Sequence, residues 1–227
     1  MTTCFFDIET IPPQTQEAID RVAARVRPPA SMKKEETIQK WEQEQKPGAI
    51  LEAVHKAGMN PAYGHVCTIG WAIGTGLTEV THMVGWSQES EAEILRQFFD
   101  ALNRGRAARF VGHNITGFDI RFLTIRAIIL GVTLPRHWPR DPKPWSDTIV
   151  DLMHTWAGHR DMVSLDEVCF ALGIPGKGEG LDGASVATAW EEGRHSGIIE
   201  YCRADVERNR QIYDRMAAVN LLGPISA

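Results

Sequence analysis

Two carboxylates stand one residue apart near the start of the chain, in Cys4-Phe5-Phe6-Asp7-Ile8-Glu9-Thr10. The apolar run reads as a buried strand over residues 2–8. Side chains alternate faces along a strand, so Asp7 and Glu9 point to the same side. Two like charges held this close among hydrophobes repel each other unless a cation sits between them. The pair is therefore a candidate metal site. A second acidic element is Asp119, which follows Gly112-His113-Asn114-Ile115-Thr116-Gly117-Phe118. It stands in the first turn of an apolar helix, where the helix dipole favours an anion. A third acidic element is Tyr201-Cys202-Arg203-Ala204-Asp205 on the closing helix. Tyrosine and aspartate four apart share one helix face. Hydrolysis of a phosphodiester by metal ions needs several carboxylates to hold the ions and a group to orient the attacking water. Each element alone also suits a plain structural role: a helix-start aspartate at 119, or a buried helix tyrosine beside an exposed aspartate at 201 and 205.

The elements that must position these groups follow from periodicity. Val66–Ile73 and Glu79–Val84 read as strands joined by the hairpin signal Gly74-Thr75-Gly76. Ser90–Leu102 has apolar residues at helical spacing. Residues 109–112 read as a short strand, Phe118–Leu130 as an apolar helix, and Thr148–Met153 as a further strand. Ser164 and Glu167 form a capping box. Helices near 184–192 and 198–218 close the chain. Strands that open as a hairpin set and then alternate with helices imply a mixed sheet covered by helices, an α/β fold. Residues 14–60 are polar, with helical fragments at about 15–26 and 33–45. They read as an insertion within a single domain spanning 1–227.

Together the acids and the tyrosine resemble the DEDD superfamily of 3′→5′ exonucleases, which have a ribonuclease H-like fold. Asp7-Ile8-Glu9-Thr10 matches the first motif, Asn114 with Phe118-Asp119 the second, and Tyr201-x-x-x-Asp205 the third in its tyrosine form. The histidine form carries its catalytic His five residues before the last Asp, which is Glu200 here. His195 is too far back to replace Tyr201. Within the superfamily the chain is similar to the predicted exonucleases related to the proofreading domain of B-family DNA polymerases. The cues are Gly112-His113-Asn114, Phe118-Asp119-Ile120, Asp151-Leu152-Met153, Ser164-Leu165-Asp166, Leu172–Lys177 and Tyr201-Cys202.

The resemblance implies a two-metal exonuclease. Asp7, Glu9, Asp119 and Asp205 would ligate two Mg²⁺ or Mn²⁺, Asp7 bridging both, and Tyr201 would position the water. Thr10, Asn114 and Phe118 would contact the terminal nucleotide, Phe118 by stacking unless it belongs to the core. Asp151 has either a supporting role near the site or a ligand role. The substrate would be single-stranded nucleic acid, DNA ahead of RNA. An exoribonuclease, a non-catalytic nucleic-acid-binding module of the same fold and a scaffold working through residues 14–60 remain the alternatives.

Composition sets limits on this reading. The net charge is −5, yet residues 104–143 hold Arg104, Arg106, Arg109, Arg121, Arg126, Arg136, Arg140 and Lys143 against only Asp119 and Asp141. A local basic surface beside an acidic pocket suits a polyanion bound through metal ions. Trp138, amid Pro and Arg, is a candidate for base stacking. No apolar run approaches the ~20 residues of a membrane span. No secretory signal is expected, and the scattered cysteines (Cys4, Cys67, Cys169 and Cys202) suggest reduced thiols in a cytoplasmic protein. The histidines show no HExxH spacing, which disfavours a zinc hydrolase. Pro175-Gly176-Lys177-Gly178 lacks the phosphate-loop pattern and reads as a turn, or as a substrate-side loop carrying Lys177.

Overall fold

The computed structural model describes residues 1–141, 146, 148–176, 181–183 and 185–223. In chain order the elements are β1 (Thr2–Ile11), α1 (Gln16–Ala23), α2 (Glu35–Glu44), α3 (Lys46–Ala57), β2 (His65–Ile73), β3 (Glu79–His82), α4 (Gln88–Arg104), β4 (Ala107–Gly112), α5 (Asp119–Leu130), β5 (Ile149–Asp151), α6 (Leu152–Ala157), α7 (Leu165–Leu172), α8 (Val186–Glu191) and α9 (His195–Ala218). By packing, the chain divides into two compact units, one made of residues 1–9 and 66–227 and the other of residues 10–65.

The first unit is built on a mixed five-stranded sheet flanked by helices, in the order β3-β2-β1-β4-β5. The hairpin strands β2 and β3 pair antiparallel, while β1–β4 and β4–β5 are parallel. Parallel neighbours need crossovers, and α5 supplies the one from β4 to β5. Alternation along β1 sends Phe5 to one face and Phe6 to the other. Phe5 packs edge-on against Tyr213 of α9 at 5.4 Å, in a core shared with Val111, Val168 and Val206. Phe6 meets Phe98 of α4 on the opposite side at 5.6 Å. Asp7 and Glu9 follow Phe5 at period two, so they emerge on the face that α9 covers. A Cβ on Gly70 of β2 would lie 3.0 Å from Cys202 Sγ and 3.1 Å from Val206 of α9. Glycine there lets α9 settle close against the sheet.

A buried ion pair ties the other face together. Arg126 of α5 donates from Nε and Nη2 to Glu91 of α4, both at 2.7 Å, and Glu91 Oε1 also accepts from the Val66 amide at 3.0 Å. Arg126 is thus no part of a basic surface. It is buried because Glu91 supplies its counter-charge inside the core. Arg109 is also drawn inward and donates to the Tyr213 hydroxyl at 2.9 Å. Arg104, Arg106, Arg121, Arg136 and Arg140 are exposed. Trp138 likewise departs from the stacking role. It is 3% exposed, packs on Phe110 and Phe99, and donates to Thr124 Oγ1 at 2.9 Å. Its indole fills the core because four phenylalanines of β1, α4 and β4 surround it. Lys143, Trp145, Asp147, Lys177 and Gly178 lie outside the described residues.

The strand expected to run to Met153 stops at Asp151. That side chain accepts the amides of Met153 and His154 and so caps α6.

In the second unit α3 packs on both α1 and α2. The third helix was not expected, because Pro47 reads as a break. Proline is accommodated in a first helical turn, where its missing N–H has no partner to lose, and Pro47 occupies that turn of α3. Trp41 and Val22 are buried within this unit.

Candidate active site

The acids arrive from three elements. Asp7 and Glu9 leave β1 side by side, their carboxylate oxygens within 4.8 Å of each other and of Cys202 Sγ on α9. Asp119, at the start of α5 and 3% exposed, accepts the amide of Ile8 at 3.2 Å. That amide lies between the two β1 acids in sequence, so the hydrogen bond ties the α5 carboxylate to the same stretch of strand. Tyr201 and Asp205 stand one turn apart on α9. The phenol hydrogen-bonds Asp205 and feels the charges of Glu9 and Asp7. Asp7, Glu9, Tyr201 and Asp205 are therefore brought together, and Asp119 is joined to the same strand through the Ile8 amide.

The electrostatics follow from burial and crowding. Burial pushes the Asp119 carboxyl well above the usual carboxylate range, and the nearby Asp151 adds to the rise. Burial is also the main reason the Tyr201 phenol is held far above its ordinary value, followed by the charges of Asp205, Glu9 and Asp7. Tyr201 is thus a protonated hydrogen-bond donor and not a base. Cys202 is raised in the same way by burial and then by the acids, so it remains a neutral thiol donating to the Asp7 carbonyl at 3.5 Å. The cluster offers oxygen donors, the set that hard divalent cations take.

The support around the acids is explicit. Asp151, 2% exposed, accepts from the Asn114 amide at 2.9 Å, from the Thr116 amide at 3.0 Å and from Thr116 Oγ1 at 2.5 Å. It fixes the loop between β4 and α5 that delivers Asp119. Asn114 sits in that loop with φ +59°, a conformation that asparagine tolerates. Phe118 is half-buried, its ring 5.3 Å from Phe122. Thr10 is half-buried, next to Glu9 on β1. His195 lies away from the tyrosine's position. Its Nδ1 pairs with His82 Nε2 at 2.9 Å, and burial followed by the neighbouring His195 pushes His82 down to about 4.

Arg208 escaped the sequence reading. Its Nη1 donates to Asp205 Oδ1 at 2.6 Å, while Nε and Nη2 reach the carbonyls of Pro175 at 3.2 Å and Gly176 at 2.8 Å. Its i,i+3 spacing from Asp205 was a usable signal. The two carbonyls come from a distant loop and left none.

A family described as predicted 3′-5′ exonuclease related to the exonuclease domain of PolB matches residues 60–221, more than half of the chain. The chain belongs to this family. The match takes in Asp119, Asp151, Tyr201 and Asp205 of this PolB-related exonuclease, while Asp7 and Glu9 precede it and join the site through β1. Among solved structures, the family B DNA polymerase from the hyperthermophilic archaeon Pyrobaculum calidifontis is similar, with a TM-score of 0.61 at 18% identity. The likeness covers 96% of this chain and 24% of the polymerase, so the chain spans about a quarter of that protein's length. It agrees with the ribonuclease H-like α/β fold expected above. No curated protein matches the chain. No described helix is long and apolar enough to cross a membrane.

Proposed function

We propose that this chain is a metal-dependent 3′→5′ exonuclease that trims single-stranded DNA and releases nucleoside 5′-monophosphates. The observation that carries the reading is that Asp7 and Glu9 of β1 and Asp205 of α9 crowd the Tyr201 phenol, while Asp119 of α5 is tied to the same strand through the Ile8 amide. Asp7, Glu9, Asp119 and Asp205 would hold two Mg²⁺ or Mn²⁺. The donor set fits: it is carboxylate oxygen in a poorly solvated site, the donor type that hard divalent cations take. When bound, such ions supply charge neutralisation for the scissile phosphate and acidify the attacking water.

The remaining work falls to the chain's own groups. Tyr201 would orient the attacking water through its phenol hydroxyl, one turn from Asp205. Arg208 holds the Asp205 carboxylate in a fixed direction. Asp151 shapes the loop from which Asn114 and Phe118 would meet the terminal nucleotide, and Thr10 follows Glu9 along β1 as a further candidate contact. The half-buried ring of Phe118 suits packing against a base. Kinship with a polymerase-related family favours DNA over RNA. Residues 1–227 would serve as one exonuclease domain with the 14–60 insertion. Four buried free cysteines agree with a reducing, cytoplasmic setting.

The test is a pair of single-stranded oligonucleotides labelled at the 5′ or the 3′ end, incubated with Mg²⁺ or Mn²⁺. The 5′ label should migrate as a descending ladder and the 3′ label should appear at once as mononucleotide. Asp7→Ala and Asp205→Ala should each abolish both. Full metal-dependent turnover in both variants would overturn the site assignment. A matched RNA oligomer in the same assay measures the sugar preference.

A further inference from the structure

The second unit has no counterpart in the family match except at its last residues, 60–65. It contains a groove of about 520 Å³, within the roughly 300–1,000 Å³ typical of ligand clefts. Lys33 and Lys34 enter the groove just before α2, and Thr37, Lys40 and Trp41 line it from one face of that helix. The spacing is i, i+3 and i+4, which places the last three side chains together. Met32 and Trp41 are the apolar part of the lining, and Trp41 is fixed in place by burial at 5% exposure. No carboxylate lines the groove, although α2 itself carries Glu35, Glu36, Glu42 and Glu44. Lys40 of α2 and the two lysines that precede the helix are thus the charged groups of the lining. The ion pair of Lys40 with Glu44 is long at 4.0 Å and exposed on both sides, a contact of little strength. The start of α2 is held by its own backbone, since the Lys34 carbonyl accepts from Thr37 Oγ1 at 2.6 Å and from the Ile38 amide at 3.1 Å.

We infer that this lysine-lined groove of the insertion is a binding surface for single-stranded nucleic acid, separate from the acid cluster. The lysines take backbone phosphates, and the half-buried Met32 gives a base an apolar contact. Charge decides the class of occupant. Three ammonium groups without a lining carboxylate favour a polyanion, in a chain whose net charge is −5. The choice of nucleic acid among polyanions rests on the exonuclease reading above.

The test separates the two claims. Full-length protein is held in EDTA, so that no turnover occurs, and binding of a fluorescein-labelled oligothymidylate is followed by anisotropy over a series of salt concentrations. The K33A/K34A/K40A variant should bind at least tenfold more weakly at low salt. The slope of log affinity against log salt should shrink by about 0.7 for each phosphate that the variant no longer neutralises, about 2 for three. K33R/K34R/K40R, which keeps the charges, should bind as the parent does, and matched thermal midpoints exclude a folding defect. Unchanged affinity and salt slope in the alanine variant overturn the inference. So does unchanged oligonucleotide binding with loss of polyglutamate binding, which assigns the groove to an acidic protein. Turnover of a dinucleotide with Mn²⁺ is measured separately. Its absence in the parent protein sinks the exonuclease reading while leaving the binding result intact.

Discussion

Replacing Arg126 by Met asks how much the fold depends on its buried ion pair. The guanidinium and the Glu91 carboxylate have side-chain exposures of 4% and 0%. They share two bonds of 2.7 Å, and the Val66 amide adds a third to the carboxylate. Arg126→Met fills much the same volume but takes the counter-charge from a carboxylate that cannot reach water. Breaking one side of such a pair costs about 3–5 kcal/mol, against a total of roughly 5–15 kcal/mol for a typical domain. Glu91→Met with Arg126→Met removes both charges and should recover most of that loss. The pH dependence has a definite sign. In Arg126→Met the folded-state pKa of Glu91 is raised by burial. The deficit is therefore small in acid, near the unfolded glutamate value of about 4.3, and grows as pH rises from there. Urea unfolding followed by circular dichroism gives the free energies. A loss below about 1 kcal/mol for Arg126→Met, the range of an exposed pair, would refute the reasoning. A double variant less stable than the single one would do the same.

Other expectations concern the site. Asp119→Asn keeps an oxygen to accept the Ile8 amide but removes a charge whose folded pKa is raised. Metal-free wild-type protein should lose stability as pH rises from about 4 towards that raised value, and Asp119→Asn should flatten the trend in thermal melts while abolishing turnover. Tyr201→Phe should slow the chemical step in single-turnover assays yet leave Mn²⁺ affinity unchanged, because the phenol orients water and is not a ligand. Arg208→Ala should cost about 1.5–3 kcal/mol, the value of a hydrogen bond to a charged group, read by urea titration. It should also expose the chain near Gly176 to proteolysis, since two of the guanidinium's bonds hold the Pro175 and Gly176 carbonyls.

The parts of the site visible in the sequence were those fixed by short-range geometry. Period two on β1 places Asp7 beside Glu9, and one helical turn places Tyr201 beside Asp205, whatever the rest of the chain does. The approach of α9 to the β1 acids and the link of Asp119 to the Ile8 amide were legible only through the family resemblance, because they depend on the sheet order and on how closely α9 packs over Gly70. Local signals failed where a residue had two uses. Pro47 reads as a helix breaker but starts α3. Asp151 ends a strand expected to continue because it also caps the next helix. Tertiary partners account for the other departures. Arg126 looks like a surface charge until Glu91 is placed opposite it, and Trp138 looks exposed among prolines and arginines until four phenylalanines close around it. The Arg208 bridge could not be read because the carbonyls it binds lie 32 and 33 residues back along the chain.

On the proposed function, carboxylates from β1, α5 and α9 would form one cage for divalent cations. Equilibrium Mn²⁺ binding, counted by electron paramagnetic resonance on wild-type protein and on Asp7→Ala, tests it without relying on turnover. Two ions per chain are expected in the wild type, with saturation lost in Asp7→Ala. Mn²⁺ binding that is absent in the wild type, or the same in both proteins, would contradict it.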